Sequence, residues 1–577
     1  MKNDGAMNRP ATWCAAIIAL HAILLSWAAV RNSVTVDEYA HLPAGVAYWK
    51  HHEFSIYNLS PPLLRYWAAA PAMLAGAYAP TALRFRDEPA SARHWEYAQN
   101  FLNFNRPSYS KYFVLGRLGM IPISCFAAWV VYRWARALYG GAAAVVSCAL
   151  YCFDPNILAH ASLVTTDAGT SAAILTSAWL WWRFCRRPLA GRLLLASLAI
   201  AAALLCKFSS LLLLPALLFS GILFVLSRRL NWRTLLGGLS VVAIVSLLLI
   251  NLAYLYHRTF MPLSYYEFAS ATMQRVSSRL PSWLPVPLPR FFVEGFDAQK
   301  WEAEARLPSF ALGEFYAGSR WYYYPLALGC KLPVGTLLLL AVALLTFWKH
   351  RLNLHECLPL IFAIIFLLGI IFLSDLNIGI RYALPALPLL YVLAGRAWAT
   401  LRGRMRTVIV LMLLLSAGES LRFAPNFLSF FNLAAGGAER GQFVLNDSNF
   451  DWGQGLISLR DWMKDNQVDR ITMACFERVD PAIYGIDSVP LSRRSIDTEY
   501  VAVSSYFLAG LPQRLRDGEQ FTPYLQLRDP AAWRAIQPVA VVDRIIRIYR
   551  REDLAGLMRS GPLMVPPRPP GAAQKAS

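Results

Sequence analysis

Two adjacent carboxylates and a histidine directly follow the first long apolar stretch of the chain. The segment VTVDEYAHLPAG contains Asp37 and Glu38, and His41 lies one helical turn later. A carboxylate can accept a proton from a reacting hydroxyl or amide, and a histidine one turn away can contact the same substrate. These groups are candidates for catalysis if they lie where a membrane meets water. In a solvated loop, Asp37 and Glu38 would only cap a helix.

The composition of the chain indicates that a membrane surrounds much of it. Of the 577 residues, 56% are hydrophobic and only 16% are charged, which is too apolar for a soluble protein of several domains. The net charge of +20 comes mostly from Lys and Arg in short clusters between apolar runs, a pattern typical of membrane topology. It does not form the basic, aromatic-rich face of a nucleic-acid-binding protein. We therefore expect a membrane protein that does not bind nucleic acid.

Windows of about twenty apolar residues, the length that crosses a bilayer, recur through the first 420 residues. They predict about eleven transmembrane helices, and the fifth and tenth windows are short for a complete crossing. The predicted spans are 12–30, 112–132, 141–158, 168–184, 190–206, 209–227, 234–256, 323–347, 357–374, 383–398 and 407–420.

Basic residues divide the connections between these spans into two groups. Alternate loops carry clusters such as Arg228 and Arg229, and the positive-inside rule places those loops in the cytoplasm. The first span is then a retained signal-anchor with a cytoplasmic N-terminus. The long loops 31–111 and 257–322 face the opposite side. Because the predicted number of spans is odd, the chain after about residue 421 also lies on that outer side.

The composition of the sequence changes after residue 420, where charged residues, turn residues and short runs of alternating polarity become common. The runs EYVAVSSYF at 499–507 and RIIRIYR at 544–550 predict strands, and GLISLRDWMKD at 455–465 predicts an amphipathic helix. The last residues are rich in Pro and Ala. We therefore expect three parts, which are a transmembrane domain at 1–420, a small extracytoplasmic α/β domain at 421–560 and a disordered tail at 561–577.

Further ionisable residues occur at the predicted outer ends of the spans. Asp167 begins the fourth span, and charged groups at such depth are usually paired or functional. Three cations share this face and suit an anionic ligand such as a lipid-linked phosphate, namely Lys207, Lys331 and Arg381. Taken singly, each lysine is explained by a side chain that extends to the interface, and Arg381 by an ion pair with nearby Asp375.

Several of these stretches resemble the GT-C membrane glycosyltransferases, especially the family 39 branch with its protein O-mannosyltransferases and lipid A aminoarabinose transferases. The stretches are DEYAHLPAGVAYW, NLSPPLLRYWAAAPAML, TTDAG, GEFYAGSRWYYYPLALGCKLP and SDLNIGIRYALPALPLLYVLAG. A later segment, FNLAAGGAERGQFVLNDSNFDWGQGLISLRDW, is similar to bacterial phospholipid-carrier-dependent glycosyltransferases. The resemblance extends to about residue 465 and implies a polytopic α-helical GT-C-like fold in a bacterial inner membrane. The family usually has His before Pro-Pro-Leu, where this chain has Ser60, so no role of that histidine transfers.

The resemblance implies transfer of a hexosyl or pentosyl group, with mannose as one candidate, from a polyprenyl-phosphate donor on the outer face. The acceptor is a protein, a lipid or a cell-surface glycan. Asp37 is then the base, while Glu38 and Asp167 orient the acceptor, tune Asp37 or hold a divalent cation such as Mg²⁺ or Mn²⁺. Whether a metal is required stays open. The residues expected to bind the donor phosphate are Arg381, Lys207, Lys331 and, more weakly, Arg65.

The loop NDSNFDWGQG lies just before the predicted amphipathic helix. Its Trp and amide side chains suit stacking on a sugar and hydrogen bonding to it. Together with one residue of the first outer loop it forms the expected acceptor or sugar contacts, which are His41, Asp447, Asn449, Asp451, Trp452 and Gln454. The alternative for this loop is a capped structural turn.

A secondary transporter or flippase of lipid-linked sugars is the alternative from another functional class. Such a protein typically shows inverted repeats, broken helices at matching positions and charges near the middle of the membrane. In this chain the candidate charges lie at one predicted face, and the loops differ in length. The sequence therefore favours the glycosyltransferase.

Overall fold

The computed structural model describes residues 4–81, 90–349, 353–493, 495–517 and 520–567. Up to about residue 421 these residues are mainly helical, with one short hairpin. The elements of this first region are α1 (Asp4–Arg31), α2 (Glu38–His51), α3 (Leu63–Leu74), α4 (Ala90–Asn105), α5 (Tyr109–Tyr139), α6 (Gly141–Phe153), α7 (Pro155–Ala161), α8 (Asp167–Arg186), α9 (Ala190–Leu204), α10 (Leu213–Leu226), α11 (Trp232–Ala253), α12 (Ala271–Ser277), α13 (Arg290–Glu304), β1 (Pro308–Ala311), β2 (Glu314–Ala317), α14 (Tyr323–Lys331), α15 (Val334–Lys349), α16 (Leu354–Phe372), α17 (Leu387–Thr400) and α18 (Arg404–Leu421).

Five helical segments among the described residues are long and apolar enough to cross a membrane. They are Arg9–Arg31, Arg93–Tyr139, Phe208–Leu226, Trp232–Ala253 and Leu354–Phe372. Two bent pairs raise the number to seven if each pair is one span, namely Gly141–Phe153 with Pro155–Ala161 and Tyr323–Lys331 with Val334–Phe347. The chain is thus a multi-pass membrane protein, as the sequence predicts.

The predicted number of about eleven spans is not confirmed. Helix α9 has 15 residues and α17 has 14, and a straight crossing of the hydrocarbon core needs about twenty. Helix α8 is long enough, but it begins at Asp167 and ends with Arg183 and Arg186 in its last turn. The orientation of the chain in the membrane and the outer location of its C-terminal region stay predictions.

Prolines and capping carboxylates produce the two bends. The α6–α7 pair is bent by 57°, because Pro155 cannot continue the preceding helix and Asp154 caps the next one by accepting from two backbone N–H groups. The α14–α15 pair is bent by 114° at Pro333, and Glu419 accepts from the first N–H of α15, that of Val334 (2.6 Å). These bends direct the ends of α7 and α14 toward each other, where Asn156 donates to the carbonyl of Lys331 (2.7 Å).

The region after residue 421 contains the larger sheets. The elements are α19 (Gly437–Val444), α20 (Leu456–Asp465), β3 (Arg470–Ala474), β4 (Asp487–Pro490), β5 (Tyr500–Ser504), α21 (Ser505–Leu508), β6 (Gln513–Asp517), β7 (Gln520–Leu527), α22 (Pro530–Ala535), β8 (Ala540–Val542), β9 (Ile546–Arg550), α23 (Ala555–Arg559) and β10 (Met564–Val565). A five-stranded mixed sheet has the order β4-β3-β5-β9-β8, in which β3 is parallel to β4 and β5. A three-stranded antiparallel sheet has the order β10-β7-β6.

Local sequence patterns identify much of this region correctly. The predicted strands at 499–507 and 544–550 contain β5 and β9, and the predicted helix at 455–465 is α20. The tail at 561–577 differs from the prediction of disorder at its start, because β10 pairs with β7 and Met564 is buried. Residues 568–577 lie outside the described residues.

A buried ion pair ties the first turn of α2 to α5. Arg117 donates to both carboxylate oxygens of Glu38 at 2.8 and 2.6 Å, and it also donates to the carbonyls of Ala29, Asn32 and Ser33. The side chains are 1% and 0% exposed. A charge without its partner in such a site is strongly destabilising, because it cannot be solvated. The pair therefore holds the end of α1, the start of α2 and α5 together.

Replacement of Arg117 is expected to destabilise the protein much more than replacement of a residue in an exposed ion pair. Arg117→Leu leaves Glu38 buried and unpaired, so the free energy of unfolding should fall by about 3–5 kcal/mol. Adding Glu38→Leu should recover part of that loss. The exposed pair Arg31–Asp461 is the control, since Asp461→Asn should cost less than about 1 kcal/mol. Unfolding in detergent measures all four proteins, and equal stability of the Arg117→Leu and Asp461→Asn variants would contradict this role.

Candidate active site

Four residues singled out in the sequence form one row of alternating charges. Arg381 Nη1 lies 2.5 Å from Asp37 Oδ2 and 4.0 Å from Asp167 Oδ2. Lys207 Nζ lies 2.7 Å from Asp167 Oδ1. Asp37 precedes α2, Asp167 is the first residue of α8, and the two cations lie in non-helical backbone or in a short 3-10 turn. The ends of separate helices therefore bring together charges that are as far apart in sequence as Asp37 and Arg381.

Asp37 is the most accessible member of this charge row. Its side chain is 25% exposed, whereas those of Arg381, Lys207 and Asp167 are 12%, 10% and 2% exposed. The Asp37 side chain makes no capping hydrogen bond to α2, so it does not serve as the helix cap that the sequence left open. Arg381 pairs with Asp37, not with Asp375. A ligand can thus reach Asp37 first and the guanidinium of Arg381 behind it.

A loop of the C-terminal region holds the backbone around Arg381. This loop, residues 446–456, is named the clamp loop. Ser448 Oγ donates to the carbonyl of Ile378 (2.9 Å), and Asn449 Oδ1 accepts from the backbone N–H of Ile380 (2.9 Å). Both bonds lie within three residues of Arg381. The clamp loop therefore sets the position from which the arginine extends.

Two further features of the clamp loop fit closely around this segment. The guanidinium carbon of Arg381 lies 4.7 Å from the ring centroid of Trp452, a cation–π contact that favours one orientation of the fork. Gly379 has φ +105°, and a Cβ there would lie 2.4 Å from Ser448 Oγ. Only glycine allows this backbone conformation and this close approach.

The clamp loop also holds the segment that carries Asp37. The backbone N–H of Val36 donates to the carbonyl of Trp452, and that of Ser33 donates to the carbonyl of Gln454, both at 3.0 Å. These bonds fix the backbone of residues 33–36, which directly precede Asp37 and α2. One loop therefore positions both members of the Asp37–Arg381 pair.

Two more carboxyl groups interact electrostatically with Asp37. Burial, together with the negative charge of Asp37, raises the pKa of Glu302, on α13, from 4.5 to about 7. Burial also raises the pKa of Asp447 to about 6, although Arg381 lowers it. Glu302 is not predicted from the sequence, because it lies in a polar stretch of the loop 257–322 where a glutamate carries no local signal. Glu302 also lines a cavity of about 810 Å³.

His41 and Arg65 lie together beneath an aromatic ring. Arg65 Nη1 lies 3.4 Å from His41 Nδ1, and the Tyr57 ring contacts both residues. Burial, with the nearby Arg65 charge, lowers the pKa of His41 well below 6.5, so His41 is a neutral hydrogen-bonding group. Arg65 also donates to Ser60 Oγ (2.7 Å), which gives Ser60 a structural contact. Arg65 is 1% exposed, and its contacts are those of a residue that orders this loop.

Glu38 and Lys331 also lie outside the charge row. The Glu38 carboxylate accepts hydrogen bonds from Arg117, from Thr35 and from the backbone N–H of Val164. Lys331 is 1% exposed, and its ammonium donates to the carbonyls of Leu428, Phe430 and Asn449. An ammonium group has three N–H donors, so these carbonyls use all of them. The structure therefore leaves Lys331 no donor for a phosphate.

Asp451 and Gln454 form hydrogen bonds that stabilise the conformation of the clamp loop. Asp451 accepts from the backbone N–H groups of Gly453 and Tyr506. Gln454 accepts from the N–H of Trp452 and donates to the Phe450 carbonyl. The geometry is that of the capped structural turn that the sequence left as an alternative.

Asp447 differs from the rest of the clamp loop. It has φ +59° and lines a cavity of about 580 Å³ between the β1–β2 hairpin and the C-terminal region. Aromatic side chains form much of the wall, namely Phe310, Phe315, Tyr323, Tyr506 and Tyr524. Asp447 is therefore the clamp-loop carboxyl group that can meet a ligand.

The three carboxylates proposed as metal ligands do not converge. Glu38 faces Arg117, and Asp37 and Asp167 lie on the two sides of Arg381. Within the described ranges, no group of three or more His, Cys, Asp or Glu side chains is arranged to hold a metal ion. A cation at this place would have to replace Arg381, so the residues do not fit a metal site in this arrangement.

A family comparison matches one segment that contains part of the charge row. Residues 113–255 match the family model described as dolichyl-phosphate-mannose-protein mannosyltransferase. The match covers about a quarter of the chain, from α5 to α11, and includes Asp167 and Lys207. It supports the resemblance to GT-C membrane glycosyltransferases that several stretches of the sequence show. No curated protein sequence matches the chain.

The solved structures that match this chain are distant in sequence. ArnT from Cupriavidus metallidurans in the apo state is 13% identical with a TM-score of 0.47, over 95% of this chain and 99% of that chain. ArnT bound to undecaprenyl phosphate is 16% identical with a TM-score of 0.44, over 82% and 74%. The Archaeoglobus fulgidus oligosaccharyltransferase in complex with Zn and sulfate is 13% identical with a TM-score of 0.40, over 88% and 72%. Similarity at this level transfers no residue role to this chain.

The raised pKa of Glu302 predicts a pH-dependent effect of its replacement. Because the pKa of Glu302 is higher in the folded chain than in the unfolded chain, its contribution to folding stability is complete below pH 4.5. This contribution is lost as pH rises through about 7, where the buried carboxyl group ionises. The melting temperature of Glu302→Gln, relative to the unmodified protein, should therefore rise between pH 5 and pH 8. The rise should be smaller in an Asp37→Asn background, because the carboxylate that raises the pKa is absent.

Glu304→Gln is the matched control on the same helix. The pKa of Glu304 is lowered by a hydrogen bond from Thr272, so this group is ionised in both folded and unfolded chains between pH 5 and pH 8. Its replacement should shift the melting temperature by the same amount throughout that range. Thermal unfolding in detergent at four pH values measures the difference, and a flat curve for Glu302→Gln would contradict the raised pKa of Glu302. An equal rise with and without Asp37→Asn would contradict the interaction with Asp37.

Proposed function

We propose that this chain is a membrane glycosyltransferase. It moves a hexosyl or pentosyl group from a polyprenyl-phosphate-linked donor to an acceptor on the extracytoplasmic face of a bacterial inner membrane. The observation that carries the proposal is the accessible Asp37–Arg381 pair, where a proton acceptor and a phosphate-binding cation are 2.5 Å apart. The family match at 113–255, which includes Asp167 and Lys207, supports this reaction class.

Arg381 is the group proposed to bind the donor phosphate. Its planar guanidinium presents paired N–H donors that match the oxygens of a phosphate. Asp167 has a second cation, Lys207, at 2.7 Å, whereas Asp37 has Arg381 as its ion-pair partner in the charge row. The arriving phosphate therefore replaces Asp37 at the guanidinium, and Asp37 becomes free to accept a proton.

The proposed reaction is a single displacement at the anomeric carbon. The acceptor O–H or N–H loses its proton to Asp37, and the acceptor atom forms a bond to the sugar. The bond between the anomeric carbon and the phosphate oxygen breaks, and polyprenyl phosphate leaves with the electron pair. Arg381 stabilises the negative charge on this leaving group. Because the acceptor attacks opposite the phosphate, the configuration inverts, and isolation of a glycosylated Asp37 would contradict this course.

The cavity beside Asp447 is the proposed entrance for the acceptor. Its aromatic side chains provide flat apolar surfaces on which a sugar ring or an acceptor side chain can stack. Burial raises the pKa of Asp447 to about 6, and Asp447 interacts electrostatically with both Arg381 and Asp37. An acceptor that enters here approaches Asp37 from the clamp-loop side.

Three residues from the sequence prediction become positioning residues in this proposal. Glu38 holds the start of α2, Lys331 holds the chain around the clamp loop, and Arg65 orders the loop near His41. Each is buried and donates or accepts hydrogen bonds within the protein. They set the geometry of the charge row and do not contact the reacting atoms.

Replacement of Asp37 is the direct test of the proposed reaction. Asp37→Asn keeps the shape but removes the proton acceptor, so sugar transfer should fall by at least about 100-fold. The assay uses purified protein in detergent with a panel of radiolabelled polyprenyl-phosphate sugars. Asp375→Asn is the matched control, because Asp375 is exposed near Arg381 without pairing with it, and it should retain turnover.

The outcomes of this assay separate the proposal from its alternatives. Equal turnover by the unmodified protein and Asp37→Asn would remove Asp37 from the chemistry. If no donor supports transfer, a separate assay with the protein in vesicles follows, and movement of labelled lipid across the vesicle membrane would favour the transporter or flippase.

A further inference from the structure

A separate cavity of about 740 Å³ lies between the end of α18 and the C-terminal sheet. Its walls come from residues 419–442, which extend from the last turn of α18 into α19, and from residues 534–547, which extend from α22 to β9. None of the charge-row residues lines it. The cavity thus belongs to a different part of the molecule from the candidate active site.

Four arginines line this cavity, and we name them the arginine cluster. They are Arg422, Arg534, Arg544 and Arg547. None of them forms a salt bridge with any residue in the described part of the chain. Glu419 also lines the cavity, but its carboxylate accepts from the backbone N–H groups of Val334 and Leu433. Glu439, which is exposed, also lines the cavity, so four arginines face two carboxylates and the cavity keeps an excess of positive charge.

Local structure holds three of the arginines at the cavity. On β9, Ile546 and Ile548 are buried, and the alternation of a strand places Arg547 on the opposite face. Arg544 donates to the Arg422 carbonyl (2.7 Å), and Arg534 donates to a carbonyl of α21 (2.8 Å). Their positions are therefore set by the sheet and its connections.

The arginines also repel one another. Burial lowers the pKa of Arg534, and the charge of Arg547 lowers it in the same direction. Burial lowers the pKa of Arg544 as well. The charge of Asp543 opposes this shift, and the charge of Arg422 adds to it. A bound anion would relieve both repulsions, because each guanidinium has N–H donors that suit phosphate oxygens.

A buried amide adds a hydrogen-bond acceptor to the same cavity. Gln442 is 2% exposed and lines the cavity, and its Nε2 donates to the Glu439 carbonyl (2.9 Å). Its Oε1 has no hydrogen-bond partner among the described residues. A buried acceptor without a partner is costly, and a hydroxyl or ammonium group on a ligand would satisfy it.

The rim of the cavity is apolar and exposed. Leu433 and Val541 line it and are 55% and 53% exposed. Helix α18, which leads into the cavity, exposes Leu411, Leu414 and Leu421. Contiguous exposed apolar side chains in a membrane protein suit lipid chains, whereas a free ion would gain nothing from them.

We propose that this cavity binds the head group of an anionic phospholipid. The arginine cluster holds the phosphate, Gln442 Oε1 accepts from a hydroxyl or ammonium of the head group, and the acyl chains lie along the exposed leucines of α18. The same phosphate chemistry exists in free phosphate ions, and the apolar rim is what favours the lipid. This site does not depend on the proposed sugar transfer.

Binding of short-chain lipids to the full chain in neutral detergent tests the proposal. The probes are dioctanoyl phosphatidylglycerol, dioctanoyl phosphatidylcholine and inorganic phosphate, with dissociation constants from calorimetry. Phosphatidylglycerol, which carries net negative charge and hydroxyl donors, should bind at least ~10-fold more tightly than phosphatidylcholine. Arg534→Gln/Arg547→Gln should weaken phosphatidylglycerol binding at least ~10-fold. The matched control Arg493→Gln/Arg551→Gln removes two exposed arginines away from the cavity and should bind like the unmodified protein.

Three outcomes would overturn the proposal. Equal affinity for the two lipids would show that the site does not recognise the negative charge of the head group. Equal loss of binding in the test and control variants would show a general charge effect. Inorganic phosphate that binds as tightly as phosphatidylglycerol would make the ligand a free phosphate. If the double variant does not fold, the single exposed change Arg544→Gln replaces it and should weaken phosphatidylglycerol binding ~3-fold or more.

Discussion

The hydrogen bonds of the clamp loop determine where Asp37 and Arg381 meet. These residues are 344 positions apart, and the attraction between two opposite charges does not by itself select one geometry. The clamp loop bonds to the backbone next to each of them, through Val36 on one side and Ile378 and Ile380 on the other. The C-terminal region is thus a structural part of the candidate active site.

The burial of this site imposes a second constraint, which is charge neutrality. Removing an ion from water is costly unless a partner and further hydrogen bonds compensate for the loss. In the charge row each carboxylate therefore lies beside a cation. Glu38 and Lys331 obey the same rule away from the row, one with Arg117 and the other with three backbone carbonyls. Two populations of buried charge result, one that a ligand can reach and one that only joins helices.

The sequence identifies the charges that a ligand can reach, but it does not distinguish them from the buried charges that only join helices. Asp37, Asp167, Lys207 and Arg381 stand out because charges next to long apolar stretches are rare, and the structure brings all four together. Lys331 shows the same signal, yet it contacts carbonyls from segments about a hundred residues away. Residue type and depth are equal in both cases, so only tertiary contacts distinguish them. Glu302 was missed for the opposite reason, because it lies in a polar stretch and gains its character from burial near Asp37.

The helices and strands show a similar division between local and tertiary information. Periodicity identifies β5, β9 and α20, since their patterns are local. The number of membrane crossings is harder to predict, because a broken pair such as α14–α15 and a short helix such as α9 both appear as apolar windows. The bends depend on Pro155 and Pro333 together with the carboxylates that cap the following helices. Their angles follow from packing, which hydropathy does not contain.

The most direct measurement is a cryo-electron microscopy structure of the protein with polyprenyl phosphate bound. We expect phosphate density at the guanidinium of Arg381, with Asp37 displaced from it, Asp167 still at Lys207 and the clamp loop unchanged. Phosphate density elsewhere, with the Asp37–Arg381 pair intact, would show that the donor does not bind and react at this pair.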